Sequence, residues 1–98
     1  MSNKHQSTVE ALSRPFIQAG LYESEEAFLQ DLVKDLAQRR IKSYQNKVNK
    51  LQRKYQSWEK FTAEIEGQAT PDQEDVWMEW EVGRNMLDAW KELAKELS

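Results

Sequence analysis

Cysteine is absent from the 98 residues, which excludes disulfides and thiolate metal sites. Histidine occurs once, as His5, with no nucleophile and carboxylate arranged around it. His5 reads as a solvated tail residue rather than a catalyst. No apolar run is long enough to span a bilayer. The first residues also lack the apolar centre of a secretory signal. A cytoplasmic location is the default expectation. Glycine-rich phosphate loops and dinucleotide fingerprints are missing too. The acids Asp72, Glu74 and Asp75 suggest a metal cluster at first sight, but they sit where first-turn acids complement a helix dipole. Glu79 and Glu81 flank Trp80 and point to different sides of a helix, so they cannot work as a pair on one site. No enzymatic activity, cofactor or metal is expected.

Glycine and proline are scarce, at three and two residues, and they punctuate a chain that otherwise favours long helices. One domain is expected at this length. Four Trp, three Tyr and three Phe stand in a chain that is 32% charged. Aromatics of that size need burial, either in a core or in a partner.

Residues 1–7 are polar and are expected to form a disordered tail. Thr8 to Ala19 reads as a short helix, with Val9, Leu12, Phe16 and Ala19 on one face. Gly20 takes its C′ position, and the apolar Leu21 follows. Pro15 falls inside that helix and should kink or break it. The alternative is an extended Ser7–Leu12 followed by a helix that starts near Arg14, with Pro15 at its first position.

Ser24 is an N-cap with Glu25 and Glu26 in the first turn. The helix that follows runs to about Tyr55. Phe28, Leu29, Leu32, Val33 and Leu36 form a broad apolar stripe suited to a globular core. Ile41, Tyr44, Val48, Leu51, Tyr55 and Trp58 then recur at steps of three and four, the seam of a helical hairpin or coiled coil. Gln56 and Ser57 interrupt the pattern, with Ser57 capping a short helix from Trp58 to Glu66 that Gly67 ends. Thr70-Pro71-Asp72-Gln73 combines an N-cap, a proline at the first helical position and a capping box. The last helix should run from Pro71 to about Leu97. Its seam is Val76, Trp80, Gly83, Leu87, Trp90, Ala94 and Leu97, and Gly83 permits close approach.

The expected fold is therefore all-α: a long helical hairpin or small helix bundle, oligomeric because a two-helix seam leaves aromatic surface to cover. Its parts are an N-terminal helical part over 8–35, a basic helix and short helix over 36–66, and an acidic Trp-rich helix over 70–97.

Charge is segregated along the chain. Seven bases and no acid lie between Leu36 and Trp58, whereas Asp72 to Ser98 holds eight acids against three bases. Leu21 to Asp35 holds five acids and one base. In one reading the basic helix packs antiparallel on the acidic one and the flanking charges set register. In the other, Arg39, Arg40, Lys42, Lys47 and Lys50 bind nucleic acid or another polyanion.

Trp77, Met78, Trp80, Met86 and Trp90 are the candidate partner-binding residues, because Trp is enriched at binding hot spots. Trp80 and Trp90 lie on the seam and serve equally as core. Trp77 and Met78 lie off it.

The stretch from Ser13 to Asp31, SRPFIQAGLYESEEAFLQD, resembles the P-x-x-x-A-G-L-Y-x-S-E-x-E segment of small prokaryotic antitoxins and their transcription-regulator relatives. The basic helix, then Tyr55-Gln56-Ser57-Trp58-Glu59-Lys60-Phe61, then Trp77-Met78-Glu79-Trp80-Glu81 are similar to the TumA-like antitoxins of type II toxin–antitoxin pairs. The resemblance implies a protein that wraps and inhibits a cognate toxin, a ribonuclease among the candidates. Its C-terminal aromatic helix would bind the toxin, and its N-terminal part would dimerise and bind the operon's DNA. In the ribbon-helix-helix relatives an alternating basic strand precedes the first helix. Here Ser7–Leu12 is short and carries Glu10, and Glu25 and Glu26 would repel a phosphate at the helix start. The leading expectation is a toxin-neutralising antitoxin-like module. The alternatives are a DNA-binding autoregulator and a structural homo-oligomer.

Overall fold

A computed structural model describes residues 4–97 of the chain, with side chains from residue 8 onward. It contains four helices: α1 (Lys4–Gln18), α2 (Glu25–Tyr55), α3 (Trp58–Ile65) and α4 (Pro71–Leu97). No strand occurs among the described residues. The all-α class read from periodicity is thus the observed one. The chain divides into two compact units, residues 1–36 and 37–98, and α2 contributes to both.

Local chemistry sets the helix ends. Ser24 Oγ accepts the backbone N–H of Ala27 at 3.1 Å, and Ser57 Oγ accepts that of Lys60 at 3.1 Å. Each satisfies a first-turn donor that has no partner within the helix. At Thr70 both halves of the capping box are made. Gln73 N–H donates to Thr70 Oγ1 at 3.2 Å, and Thr70 N–H donates to Gln73 Oε1 at 2.9 Å. Helix α1 closes on Gly20, whose φ of +79° suits a residue without a Cβ. The bonds Leu21 N–H to Phe16 O and Gly20 N–H to Ile17 O, both 3.0 Å, make the Schellman pattern. Helix α2 ends instead on Gln56, a non-glycine residue at φ 71°.

Unit 1 departs from expectation in several places. The extended alternative for Ser7–Leu12 is overturned, because this segment lies within α1. Pro15 sits inside the helix without ending it. Its carbonyl still accepts Ala19 N–H at 3.0 Å, while its own nitrogen has no hydrogen to donate. The helix begins at Lys4, inside the stretch read as a tail. Residues 1–3 and the side chain of His5 lie outside the described residues. The face Val9–Leu12–Phe16–Ala19 is not the buried one: Leu12 is 62% exposed and Phe16 41%. The covered line is Val9, Ser13 and Ile17, spaced by four. Ser13 is buried there because its hydroxyl donates back to the Glu10 carbonyl at 3.2 Å and needs no other partner.

Phe16, Tyr22 and Phe28 form an aromatic cluster at the α1–α2 turn, with Phe28 at its buried centre. The Tyr22 hydroxyl donates to Asp31, and this hydrogen bond, with lesser help from desolvation and nearby negative charge, raises its pKa above the ordinary 10.0. Of the stripe Phe28, Leu29, Leu32, Val33 and Leu36, only Phe28 is covered. The other four are exposed, since unit 1 supplies no further helix to pack on them.

Unit 2 is a helical hairpin. The residues of α2 from 37 onward pair with α4, and α3 caps the pair. Trp80, 1% exposed, is the centre of its core, with Phe61 and Ile65. Leu51, Tyr55, Trp58, Val76 and Trp77 close around them. Lys47 and Val48 of α2 meet Glu79 and Gly83 of α4. A Cβ on Gly83 would stand 3.5 Å from Val48 Cγ2. The α4 seam is covered along its length, with Trp80, Gly83 and Leu87 buried and Val76, Trp90, Ala94 and Leu97 half-buried. Periodicity located that seam because steps of three and four keep side chains on one helix face.

Candidate functional site

Trp77 lies off the α4 seam, where partner binding and core packing were both open to it, and α3 takes it into the packing. Its indole N–H donates to Thr62 Oγ1 at 3.1 Å, and its ring stacks on Trp58 at 5.1 Å and 27°. Trp58 also meets Trp80 edge-on at 5.6 Å, and the guanidinium of Arg84 covers its ring at 4.7 Å. These contacts fix α3 on the first turns of α4. Trp80 presents no surface to a partner in this conformation, and Trp90 is half-buried on the seam. Of the five candidate partner-binding residues, only Met78 and Met86 are open, at 59% and 37% exposure.

Those two methionines belong to a ridge that the tryptophan pattern does not reveal. Met78, Val82, Met86, Ala89 and Leu93 are all exposed on α4, and they are spaced by four, four, three and four. At 100° per residue they fall within about 80° of the helix circumference. Helix α4 therefore carries two apolar stripes. One is the seam that α2 and α3 cover. The other runs beside it and faces outward. The signal is present in the sequence as a second heptad-like run (Met78, Val82, Met86, Ala89, Leu93), overshadowed by the larger side chains of the seam.

At its N-terminal end the ridge opens into a groove of about 500 Å³ between α3 and α4, lined by Thr62, Ile65, Glu66, Glu74, Trp77 and Met78. The hydrogen bond from Trp77 to Thr62 holds the groove wall in place, so the site is preorganised. Thr62, Glu66 and Glu74 give the groove polar edges.

No family model, curated protein or solved structure matches this chain. Its function must therefore be read from its surfaces.

The basic candidates lie on α2. Arg39, Arg40, Lys42 and Lys50 are exposed, and Lys47 is half-buried. Lys47 Nζ lies 3.4 Å from Glu79 Oε1 on α4, an exposed pair of the sort that aids register more than stability. By helical spacing Arg40 shares Lys47's edge of the seam, whereas Arg39, Lys42 and Lys50 fall on the outer side of α2. No cluster of three or more His, Asp or Glu side chains suited to a metal occurs among the described residues. No helix among them is long and apolar enough to cross a membrane.

Proposed function

We propose that this chain is an antitoxin-like protein-binding module that neutralises a cognate toxin by direct contact through α3 and α4. The observation that carries this reading is the outward ridge Met78–Val82–Met86–Ala89–Leu93 and the groove it opens into. A ridge of large apolar side chains that a protein leaves exposed marks an interaction surface, and methionines suit one that adapts to its partner. Amphipathic helices bind grooves through anchors at this spacing. The core behind the ridge is anchored by Trp80, so the ridge is a rigid helix face rather than a disordered tail.

The product of the neighbouring reading frame is the first partner to test. Co-expression should give a stable complex and relieve any growth inhibition that the neighbour causes alone. Replacing Met78 and Leu93 with Ser should weaken both effects without loss of helicity. A neighbour that neither co-purifies nor inhibits growth overturns the assignment.

Homo-oligomerisation is supported separately by unit 1, where Leu29, Leu32, Val33 and Leu36 are uncovered on one face of α2. A second copy laid on that face would cover it, and light scattering would then return a multiple of the chain mass.

Binding of DNA is the second functional reading. It rests on the exposure of Arg40, Lys42 and Lys50. Mobility-shift titration against the gene's own promoter should show a steep salt dependence if these side chains meet phosphates. A flat titration at low salt removes this reading.

A further inference from the structure

One face of α2 reads the same in reverse with its charges exchanged. Its midline runs along the helix halfway between Leu32 and Val33. At about 100° per residue, Leu29 and Leu36 lie within about 10° of that line, and Leu32 and Val33 about 50° to either side. All four are exposed. Glu25 and Arg40 stand about 30° from the line at its two ends, with Glu26 and Arg39 about 70° from it. Asp31, Lys34 and Asp35 lie about 110° or more away. The face is therefore acidic, then apolar, then basic along one unbroken helix.

The neighbouring elements leave that order intact. Helix α1 sets Glu10 and Arg14 around the same hollow as Glu25, one charge of each sign. Glu26 Oε1 accepts the neutral Gln30 side chain at 3.4 Å. At the other end Arg40 shares the edge of α2 where Lys47 meets Glu79. Tyr55 lies against Trp80 and Val48 against Gly83, so α4 runs on toward the level of Arg40. Within about 40° of the Glu79 line it presents Gly83, Met86, Trp90, Leu93 and Leu97, none of them charged. Glu25, Glu26 and Arg40 make no ion pair among the described residues.

Resting on the homo-oligomeric reading above, we propose that this face pairs two copies of the chain, their α2 helices antiparallel about a two-fold axis between Leu32 and Val33. Leu29 of one copy then lies level with Leu36 of the other, and Leu32 with Val33. The same register sets Glu25 against Arg40 and Glu26 against Arg39 at both ends. The interface is self-complementary, as a two-fold axis requires. Apolar contact covers the four exposed side chains, and the end charges fix orientation and register. A parallel pair would lay Glu25 on Glu25 and Arg40 on Arg40, like charges at both ends. A partner of a single charge sign is repelled at one end or the other, so the reversed copy of the face is the occupant that answers both.

The test uses the full chain in analytical ultracentrifugation, where the wild type should sediment as a dimer. R40E brings two acids together at both ends and should weaken the dimer about tenfold or more. E25R does the same with two bases. Mixed in equal amounts, R40E and E25R should pair with each other about as tightly as the wild type, since each end of the mixed dimer again joins opposite charges. Circular dichroism checks that both keep their helicity. The chain has no cysteine, so single introduced ones report the register under a mild oxidant. For helices about 8–10 Å apart, V33C should cross-link to itself across the axis. L29C should join L36C but not itself, because two copies of Leu29 stand about 10 Å apart along the helix direction, beyond disulfide reach. A monomeric wild type, a dimer that R40E leaves unchanged, mixed variants that fail to pair, or self-linked L29C overturns the proposal. A dimer indifferent to R40E sinks this pairing and leaves homo-oligomerisation standing, whereas a monomer sinks both. The assay contains this chain alone, so its outcome is independent of any toxin complex.

Discussion

The indole N–H of Trp77 is held by the hydroxyl of Thr62 at 3.1 Å. This single side-chain bond crosses from α4 to α3 and fixes the wall of the groove. It also turns a residue that lies off the α4 seam into part of the packing. Thr62→Val keeps the shape and removes the acceptor. Because the site is only partly buried, water can replace part of what is lost, and the expected destabilisation is about 0.5–1.5 kcal/mol by urea denaturation. Trp77 emission should shift to the red. No change in either stability or emission would show that the bond is dispensable.

Trp80 has the largest side chain among the fully buried residues and touches Tyr55, Trp58 and Phe61. Trp80→Ala should cost about 3–5 kcal/mol, a large share of the 5–15 kcal/mol that holds a typical domain together. Thermal melts followed by circular dichroism should show a broad, early transition or none. Trp80→Phe retains most of the ring contacts and should stay folded with a reduced Tm.

Gly83 gives a prediction whose sign depends on size. A methyl group there would sit at ordinary contact distance from Val48, 3.5 Å away. Alanine also favours the helix interior by about 1 kcal/mol over glycine. Gly83→Ala should therefore be neutral or raise stability by up to about 1 kcal/mol. Gly83→Leu must push Val48 and Lys47 aside and should destabilise by about 1–3 kcal/mol. A pair of denaturation curves decides it, and a strongly destabilised alanine variant would mean that α2 and α4 stand closer than described.

Gln56 ends α2 in the left-handed region at φ 71°, where a side chain is strained and glycine is not. Its amide oxygen accepts a hydrogen bond from Lys60 Nζ, which offsets only part of that strain because the contact is exposed. Gln56→Gly should raise stability by about 0.5–1 kcal/mol, measurable as a higher Tm. A fall of similar size would assign the larger role to the Lys60 contact.

The boundaries of α2, α3 and α4, the end of α1 and the hairpin seam were legible in the residues, whereas the start of α1 was not. Ser24, Ser57 and the Thr70–Gln73 box act within three or four residues of themselves, and the Gly20 turn needs only its own backbone freedom, so no distant partner decides them. The seam from Val76 to Leu97 was equally readable, because helical spacing fixes which side chains share a face. Coverage of a face is another matter, since it depends on what lies opposite. The run Met78–Leu93 has the same helical spacing as the seam and is open only because α2 and α3 pack beside it rather than on it. Leu29, Leu32, Val33 and Leu36 satisfy the pattern of a core helix and meet no covering helix in their own unit, while Ser13, a polar residue, is buried. Trp77 was drawn inward by a hydroxyl fifteen residues earlier in the chain. Short-range hydrogen bonds and helical geometry are written into neighbouring residues, whereas burial is a property of pairs of elements, and only the packed molecule selects which apolar surface is covered on folding and which stays exposed.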